Sequence, residues 1–324
     1  MISLERIFVC RPRGFCAGVV RAIDIVSSAL RMYGSPVHVR KEIIHNQRVL
    51  EDFRRQGVIF VDEVDEVPAG GILVFSAHGV SPQVRCAAAQ RSLRVIDATC
   101  PLVTKVHREA LAFINDGYSV ILIGHAGHDE VIGIMGEARG QVHLVTCAQD
   151  ARSAEVANPN RVGILCQTTL SILDTEDIVA VLRARFPKAE MPARKDICYA
   201  TQNRQVAVLE LAKSVQLFVI LGSGNSSNAN RLREVAERSG VPAYLIENEH
   251  AFHMDWLEGV RSLGISAGAS TPEELVQALL GKLQGATGAI VEELEGVDEN
   301  VSFVLPAELL TRSQTRPGSW HRVS

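Results

Sequence analysis

The sequence lacks the features that mark membrane or nucleic-acid proteins. Its apolar runs are far shorter than the roughly 18 residues that a membrane-spanning helix needs, and residues 1–6 lack the basic-then-apolar order of a secretory signal. Basic residues do not predominate, because 33 Lys and Arg stand against 37 Asp and Glu and leave a net charge of −4. The composition therefore predicts neither a membrane partner nor a nucleic-acid partner.

Cysteine is scarce, and its number is odd. Seven cysteines in 324 residues without an export signal do not predict a disulfide framework, so we expect a reducing compartment, the cytoplasm. The chain also lacks a G-x-G-x-x-G pattern and a Walker pattern.

What the chain does contain is a repeated order of short apolar runs and helical patterns. This order begins again near residue 95 and near residue 197, and it predicts an α/β fold of three similar units, each with a mainly parallel sheet. A pseudo-threefold arrangement would bring the opening loops of the units together. The expected divisions are an N-terminal strand and first cysteine loop at 1–17, units at 18–99, 100–197 and 198–285, a C-terminal segment at 286–310, and a disordered tail at 311–324.

Three cysteines, Cys16, Cys100 and Cys198, occupy matching positions in this repeat. Each follows a strand-like run and precedes a helical pattern, where a helix N-terminus favours a thiolate. Their spacing is too wide for a zinc knuckle or a thioredoxin pair, and spacing alone leaves a metal site open. For the remaining four we predict the role of small buried apolar residues; they are Cys10, Cys86, Cys147 and Cys166.

Polar residues follow several predicted strands, at the edge where parallel sheets bind ligands. His45, His78 and His128 stand at such ends, and the loop 222–228 opens a helix near Ser226. Backbone N–H groups, hydroxyls and imidazoles there, the last charged if protonated, predict a phosphate or diphosphate ligand. A single Ser or Asn at a helix start is more often only a cap. A zinc-dependent hydrolase and a non-catalytic phosphate-binding protein remain alternative interpretations.

Short motifs spread over residues 5–306 resemble one known family. They include Arg13-Gly-Phe-Cys-Ala-Gly18, Ser76-Ala-His-Gly79, Asp97-Ala-Thr-Cys-Pro101, Gln167-Thr-Thr169 and Asn225-Ser-Ser-Asn-Ala-Asn230. The sequence is thereby similar to the hydroxymethylbutenyl diphosphate reductases, called IspH or LytB, the last enzymes of the methylerythritol phosphate route to isoprenoids. So many motifs in the same order make a chance match implausible.

This resemblance implies a reductase built around an iron–sulfur cluster. The implied [4Fe-4S] cluster is held by Cys16, Cys100 and Cys198, which leaves one iron open to the substrate. Two electrons from an external protein of ferredoxin or flavodoxin type would remove the allylic hydroxyl of 4-hydroxy-3-methylbut-2-enyl diphosphate as water. The expected products are isopentenyl and dimethylallyl diphosphate.

The resemblance also implies roles for particular side chains. Glu130 is expected to donate a proton with the assistance of Thr168. The diphosphate is expected to bind His45, His78, His128, Ser226, Ser227, Asn228 and Ser270. One departure from the family pattern is Asp129, which replaces a usual proline. We expect this change to loosen the loop and to place a carboxylate that raises a neighbour's pKa.

Overall fold

The computed structural model describes residues 3–138 and 140–310, so the predicted disordered tail at 311–324 lies outside the described residues. The strands are β1 Arg6–Val9, β2 Val37–Arg40, β3 Val58–Val61, β4 Ile72–Phe75, β5 Arg94–Asp97, β6 Ser119–Ile123, β7 Val142–Val145, β8 Val162–Cys166, β9 Leu217–Leu221, β10 Ala243–Ile246, β11 Ser262–Ala267 and β12 Ile290–Glu293. The α-helices are α1 Ala17–Tyr33, α2 Gln47–Arg55, α3 Pro82–Gln90, α4 Pro101–Asn115, α5 Asp129–Glu137, α6 Ala148–Ser153, α7 Ile172–Arg185, α8 Tyr199–Leu211, α9 Ser227–Arg238 and α10 Glu273–Thr287.

The strands form three sheets, and every pairing between them is parallel. Their strand orders are β3-β2-β4-β5, β7-β6-β8 and β10-β9-β11-β1-β12. Strands β8 and β9 are buried along their whole length, as expected for parallel sheets covered by helices on both faces. The predicted fold class, α/β with three parallel sheets, is confirmed.

The first strand of the chain and its last two strands lie side by side in one sheet. Strand β1 lies between β11 and β12, with Ile7 paired to Leu263 on one side and to Val291 on the other. The first strand therefore belongs to the same sheet as the last strands, and it leads directly into the Cys16 loop. The unit boundaries inferred from the sequence stay a prediction.

Each sheet buries apolar side chains on both faces. In the five-stranded sheet, for example, Val219 packs with Ile265 on one face, and Phe218 and Ile220 pack with Leu232 on the other. Full burial of one such side chain stabilises the fold by about 1.5–3 kcal/mol. These cores fix the strands, so the loops that follow their carboxyl ends are held in defined positions.

Within the described ranges, no helix is long and apolar enough to cross a membrane.

Candidate active site

One cavity of about 100 Å³ gathers loops from all three sheets. All twelve site residues named from the sequence line it: Cys16, His45, His78, Cys100, His128, Glu130, Thr168, Cys198, Ser226, Ser227, Asn228 and Ser270. Three larger cavities, of about 570, 410 and 230 Å³, contain none of these twelve. Chemical content rather than size therefore identifies the candidate site.

The three cysteines of this cavity each cap a helix. Cys16 precedes α1, Cys100 precedes α4 and Cys198 precedes α8. Positive ends of three helix dipoles thus meet at three sulfur atoms, an arrangement that favours negative charge there. In the Cys198 case the cap is explicit, because Sγ accepts a hydrogen bond from the backbone N–H of Thr201 at 3.4 Å.

Backbone hydrogen bonds hold the cysteines in place. The N–H of Cys16 donates to the carbonyl of Ala269, 3.1 Å away, although the two residues lie near opposite ends of the family region. The other two cysteine N–H groups donate likewise at 3.0 Å, that of Cys100 to Ala77 and that of Cys198 to Thr168. The backbone of each cysteine is therefore hydrogen-bonded to a loop that follows a different strand: β11 for Cys16, β4 for Cys100 and β8 for Cys198.

Burial disfavours ionisation of the Cys100 and Cys198 thiols when no cation is bound. Burial, with a smaller contribution from the nearby Cys16 thiol, raises the pKa of Cys100 to about 12 and that of Cys198 to about 11. A cationic metal group would offset this penalty, because thiolate coordination is strongly favourable. All three thiols line the same cavity, so one such group could contact all of them.

The space between these sulfurs fits a group larger than a single ion. A Cβ atom added at Gly18 would lie 2.8 Å from Sγ of Cys100 and 3.8 Å from Sγ of Cys16, so glycine keeps this space open. Within residues 3–138 and 140–310, no three His, Cys, Asp or Glu side chains converge closely enough to hold one metal ion. Soft thiol donors around an open space fit an iron–sulfur cluster.

The four remaining cysteines differ in their surroundings. Cys10 and Cys166 are buried, as predicted, and burial raises the pKa of both thiols. Cys86 and Cys147 are exposed, so the prediction of a buried apolar role is wrong for these two. Cys86 lies on the outer face of α3, and Cys147 caps the short helix α6.

Three imidazole rings form a cluster on one wall of the cavity. His45 stacks on His78 with ring centroids 4.2 Å apart, and the ring of His128 stands edge-on to both, at 5.9 and 5.8 Å. Burial, together with the charges of the other imidazoles, lowers the pKa of His78 well below its usual value and that of His128 to about 4. These two rings are neutral at pH 7, so they offer single hydrogen bonds rather than positive charge.

Glu130 is a buried carboxyl group held by one residue. Its side chain is 1% exposed, and it accepts hydrogen bonds from the backbone N–H of Thr168 at 2.7 Å and from the Thr168 hydroxyl at 2.9 Å. Burial raises the pKa of Glu130 from 4.5 to about 7, and it outweighs the opposing hydrogen bonds. The charge that adds to this rise is that of Asp196, whereas we expected Asp129 to have this effect.

The loops around α9 supply amide and hydroxyl groups. Ser226 caps α9 by accepting from the N–H of Ala229, and Asn228 binds the N–H of Ala269 through its oxygen at 2.8 Å. Ser227 accepts from the hydroxyl of Thr169 at 3.0 Å. These side chains lie at a helix N-terminus, where backbone N–H groups favour an anion.

Ser270 reaches across the cavity. Its hydroxyl donates to the backbone carbonyl of His45 at 2.9 Å, so it joins the last polar loop of the five-stranded sheet to the histidine cluster.

Asp129, the departure from the family pattern, occupies the first position of α5. Its predecessor, His128, caps the helix with φ −70° and ψ 135°, a conformation that also suits a residue before proline. The backbone at this position is therefore compatible with the usual proline as well as with aspartate.

Sequence reasoning missed three residues that hold the site together. Thr201 lines the cavity and receives a hydrogen bond from Asn228, while Arg204 is fully buried and donates to the carbonyl of Gly14 at 2.7 Å. Glu42 accepts hydrogen bonds from His45 and Asn225. Thr201 and Arg204 lie in the first two turns of the helix that Cys198 caps, and this position in the sequence indicated that they lie near the cysteine. No signal distinguished Glu42 from a surface carboxylate.

These features define an α/β protein in which three helix-capping thiols share one cavity with imidazole, hydroxyl and amide groups. The LytB protein family model matches residues 7–284. The chain belongs to the LytB family, which confirms the resemblance drawn from its motifs.

Curated relatives match over nearly the whole chain. A 4-hydroxy-3-methylbut-2-enyl diphosphate reductase of Pseudomonas fluorescens is 52% identical over 314 residues, covering 95% of this chain and 99% of the relative. Proteins of the same name from Aromatoleum aromaticum and Ralstonia nicotianae are 51% and 50% identical. They cover 95% and 94% of this chain, and 98% and 94% of their own lengths.

Solved structures are also similar. The E-1-hydroxy-2-methyl-but-2-enyl-4-diphosphate reductase of Plasmodium falciparum is 36% identical with a TM-score of 0.92, over 94% of this chain and 97% of that one. A structure described as (E)-4-hydroxy-3-methyl-but-2-enyl diphosphate reductase, the terminal enzyme of the non-mevalonate pathway, is 32% identical. Its TM-score is 0.61, over 88% of this chain and 100% of that one.

Proposed function

We propose that this cavity binds and reduces 4-hydroxy-3-methylbut-2-enyl diphosphate to isopentenyl and dimethylallyl diphosphate, the last step of the non-mevalonate pathway. The observation that carries the proposal is the convergence of all twelve expected residues on one cavity. Family membership, and relatives about 50% identical along nearly their whole length, supply the substrate and the reaction type.

The cofactor in this proposal is a [4Fe-4S] cluster held by Cys16, Cys100 and Cys198. The LytB family is one of iron–sulfur enzymes, and the open space beside Gly18 supports a cluster at this position. When bound, such a cluster supplies electrons and a Lewis-acidic iron. The thiols supply three ligands only, so one side of the cavity stays free for the substrate.

Glu130 is the proposed proton donor. Its pKa of about 7 means that the carboxyl carries a proton in a large fraction of molecules at neutral pH. Thr168 holds both carboxyl oxygens and so fixes the direction in which the proton is presented. Delivery of this proton to the substrate's hydroxyl would allow it to leave as water, and the allylic carbon that receives the two electrons would take up a second proton to give the product.

The diphosphate group is proposed to bind the donors on the opposite walls. His45, His78 and His128 supply imidazoles from one wall, and Ser226, Ser227, Asn228 and Ser270 supply hydroxyls and an amide from the other. Neutral imidazoles and helix N-terminal N–H groups bind an anion through hydrogen bonds without burying a full positive charge. The small cavity then excludes water from the allylic end.

The electrons are proposed to come from a protein of ferredoxin or flavodoxin type. The sequence contains no nicotinamide or flavin fingerprint, and reduction consumes two electrons per turnover. A cytoplasmic location is part of this proposal, since free thiol ligands need a reducing compartment. Cell fractionation would test that location.

Anaerobic purification with iron and sulfide quantitation tests the cofactor and the activity together. We expect about four irons and four sulfides per chain, a brown colour, and turnover of the allylic diphosphate with an artificial reductant. Cys16→Ser, Cys100→Ser and Cys198→Ser should each lose iron, because a hard hydroxyl replaces a soft thiolate. The exposed Cys86→Ser and Cys147→Ser are matched controls that should retain it.

Other outcomes would favour the alternatives. Zinc in place of iron, with hydrolysis of the diphosphate, would support a zinc-dependent hydrolase. Tight diphosphate binding with no metal and no turnover would support a non-catalytic binding protein.

A further inference from the structure

Glu42 connects two parts of the cavity wall without lining the cavity itself. One carboxylate oxygen, Oε2, accepts from Nδ1 of His45 and from the side-chain amide of Asn225, both at 2.8 Å. The other oxygen accepts from the side chain of Gln47 at 3.4 Å. A single atom thus receives hydrogen bonds from the histidine cluster and from the loop that opens α9.

The two residues that Glu42 joins come from different sheets. His45 follows β2 of the four-stranded sheet, whereas Asn225 follows β9 of the five-stranded sheet. A second bond crosses the same junction, since the hydroxyl of Ser270 donates to the carbonyl of His45. Glu42 and Ser270 therefore fix the side chain and the backbone of the same histidine.

The backbone before Glu42 is specialised for this position. Lys41 has φ 58°, an uncommon conformation for a residue other than glycine. Its N–H donates to the carbonyl of Val61 at 2.7 Å, and the following residues Ile43 and Ile44 are almost completely buried. A strained residue followed by two buried anchors leaves Glu42 little freedom.

The electrostatics of Glu42 show that it is ionised. Burial alone would raise the pKa of Glu42, but hydrogen bonds from His45 and Asn225 and the charge of Arg54 outweigh it and lower this pKa. An ionised carboxylate accepts a hydrogen bond from Nδ1–H of His45, so Nε2 is the ring nitrogen that remains available to a ligand. His78 and His128 have neutral partners instead, the Ser76 hydroxyl and the Glu130 N–H.

We infer that Glu42 is a positioning residue for the diphosphate. It fixes the ring and tautomer of His45 and holds the Asn225 loop at a set distance from that ring. This inference rests on the proposed function for the identity of the substrate. The titratable and charged groups around His45 are Glu42, His78 and His128, with Arg54 acting on Glu42.

The test compares variants of the cluster-loaded protein by calorimetry with inorganic diphosphate and by steady-state kinetics with the allylic diphosphate. Glu42→Ala should weaken diphosphate binding and raise KM by about 10-fold or more, because two donors lose a charged acceptor. We expect kcat to stay within about threefold of wild type, since Glu42 does not contact the reacting atoms. Glu51→Ala, an exposed acid on α2, is the matched control and should change neither value.

Glu42→Gln separates charge from shape. The amide oxygen can still accept from Nδ1 of His45, but a neutral oxygen is a weaker acceptor than a carboxylate. Glu42→Gln should therefore weaken diphosphate binding by about threefold, less than Glu42→Ala does, with kcat unchanged. A purely structural role would lower kcat and iron content as well. This variant also decides the case if Glu42→Ala does not fold.

Asn225→Ala tests the connection between the two walls. If Glu42 acts by joining them, the double variant Glu42→Ala, Asn225→Ala should bind diphosphate about as well as the weaker single variant. Additive losses would contradict this connection, and unchanged binding in Glu42→Ala would overturn the inference. A wild-type protein that binds inorganic diphosphate without reducing the allylic diphosphate would refute the proposed function alone, and the binding series would still decide the role of Glu42.

Discussion

Thr168 binds both carboxyl oxygens of Glu130, one through its backbone N–H and the other through its hydroxyl. The same residue gives its carbonyl to the N–H of Cys198. The proposed proton donor and one proposed cluster ligand are therefore fixed by a single residue after β8. Because Thr168 bonds to both residues, it fixes the position of the Glu130 carboxyl group relative to Cys198.

Replacement of the acid should affect turnover more than binding. Glu130→Gln keeps the shape and can still accept from the Thr168 N–H through its one oxygen, but it cannot supply the proton. We therefore expect kcat to fall by roughly 10²-fold or more with little change in KM. Anaerobic kinetics with one artificial reductant would measure this. The exposed Glu176→Gln on α7 is a suitable control. Wild-type turnover in Glu130→Gln would exclude Glu130 as the donor.

The stability of the protein should respond to pH through the same residue. The folded state raises the pKa of Glu130 from 4.5 to about 7, so its contribution to stability is complete below about 4.5 and is lost as the pH rises through about 7. Glu130→Gln has no such loss. Its melting temperature relative to wild type should therefore increase between pH 5 and pH 8, by an amount equivalent to at most roughly 3 kcal/mol. A pH-independent difference would show that the carboxyl ionises normally.

A methyl group at Gly18 should disturb the thiol site. Gly18→Ala would place Cβ 2.8 Å from Sγ of Cys100, closer than real contacts allow, although alanine is the better helix former by about 1 kcal/mol. We expect reduced iron content and activity. Gly281→Ala in α10, where an added Cβ meets no atom within 4 Å, is the control and should raise the melting temperature. Normal iron content in Gly18→Ala would show that the space is not needed.

Restoring the usual proline should be tolerated. Asp129→Pro falls on the first residue of α5, where proline fits and needs no N–H partner, and His128 already has a conformation suited to precede proline. The rigid ring stabilises by about 0.4–1 kcal/mol, while the lost carboxylate at the helix N-terminus costs about 0.3–1 kcal/mol. These effects nearly cancel, so thermal unfolding should show an almost unchanged melting temperature. Loss of folding would contradict this geometry.

Much of the fold was predictable from local pattern. Continuous apolar runs such as Leu217–Leu221 predict buried parallel strands, because only such strands are apolar on both faces. The partners of β1, which are β11 and β12, were not predictable, since an apolar run of four residues fits any of the three parallel sheets. The exposed Cys86 and Cys147 illustrate a further limit, because a cysteine in a helical or strand pattern does not reveal which face it occupies.

Some residues of the candidate site were predictable from the sequence, and others were not. Motif residues such as Cys100 and Asn228 were named because their order along the chain matches a family, and the structure brings them to one cavity. Glu42 carries no such mark, because its importance arises from contacts with residues that are distant in sequence. Similarly, the neutral state of His78 follows from burial among other imidazoles, which no sequence pattern displays.

The bond from the Cys16 N–H to the Ala269 carbonyl bears on the timing of assembly. Cys16 leaves the ribosome among the first residues, but its anchoring loop emerges only after all three thiols have been synthesised. During translation the Cys16 loop therefore lacks this bond until the loop after β11 has been synthesised. The complete arrangement of the three thiols can form only after the five-stranded sheet has closed.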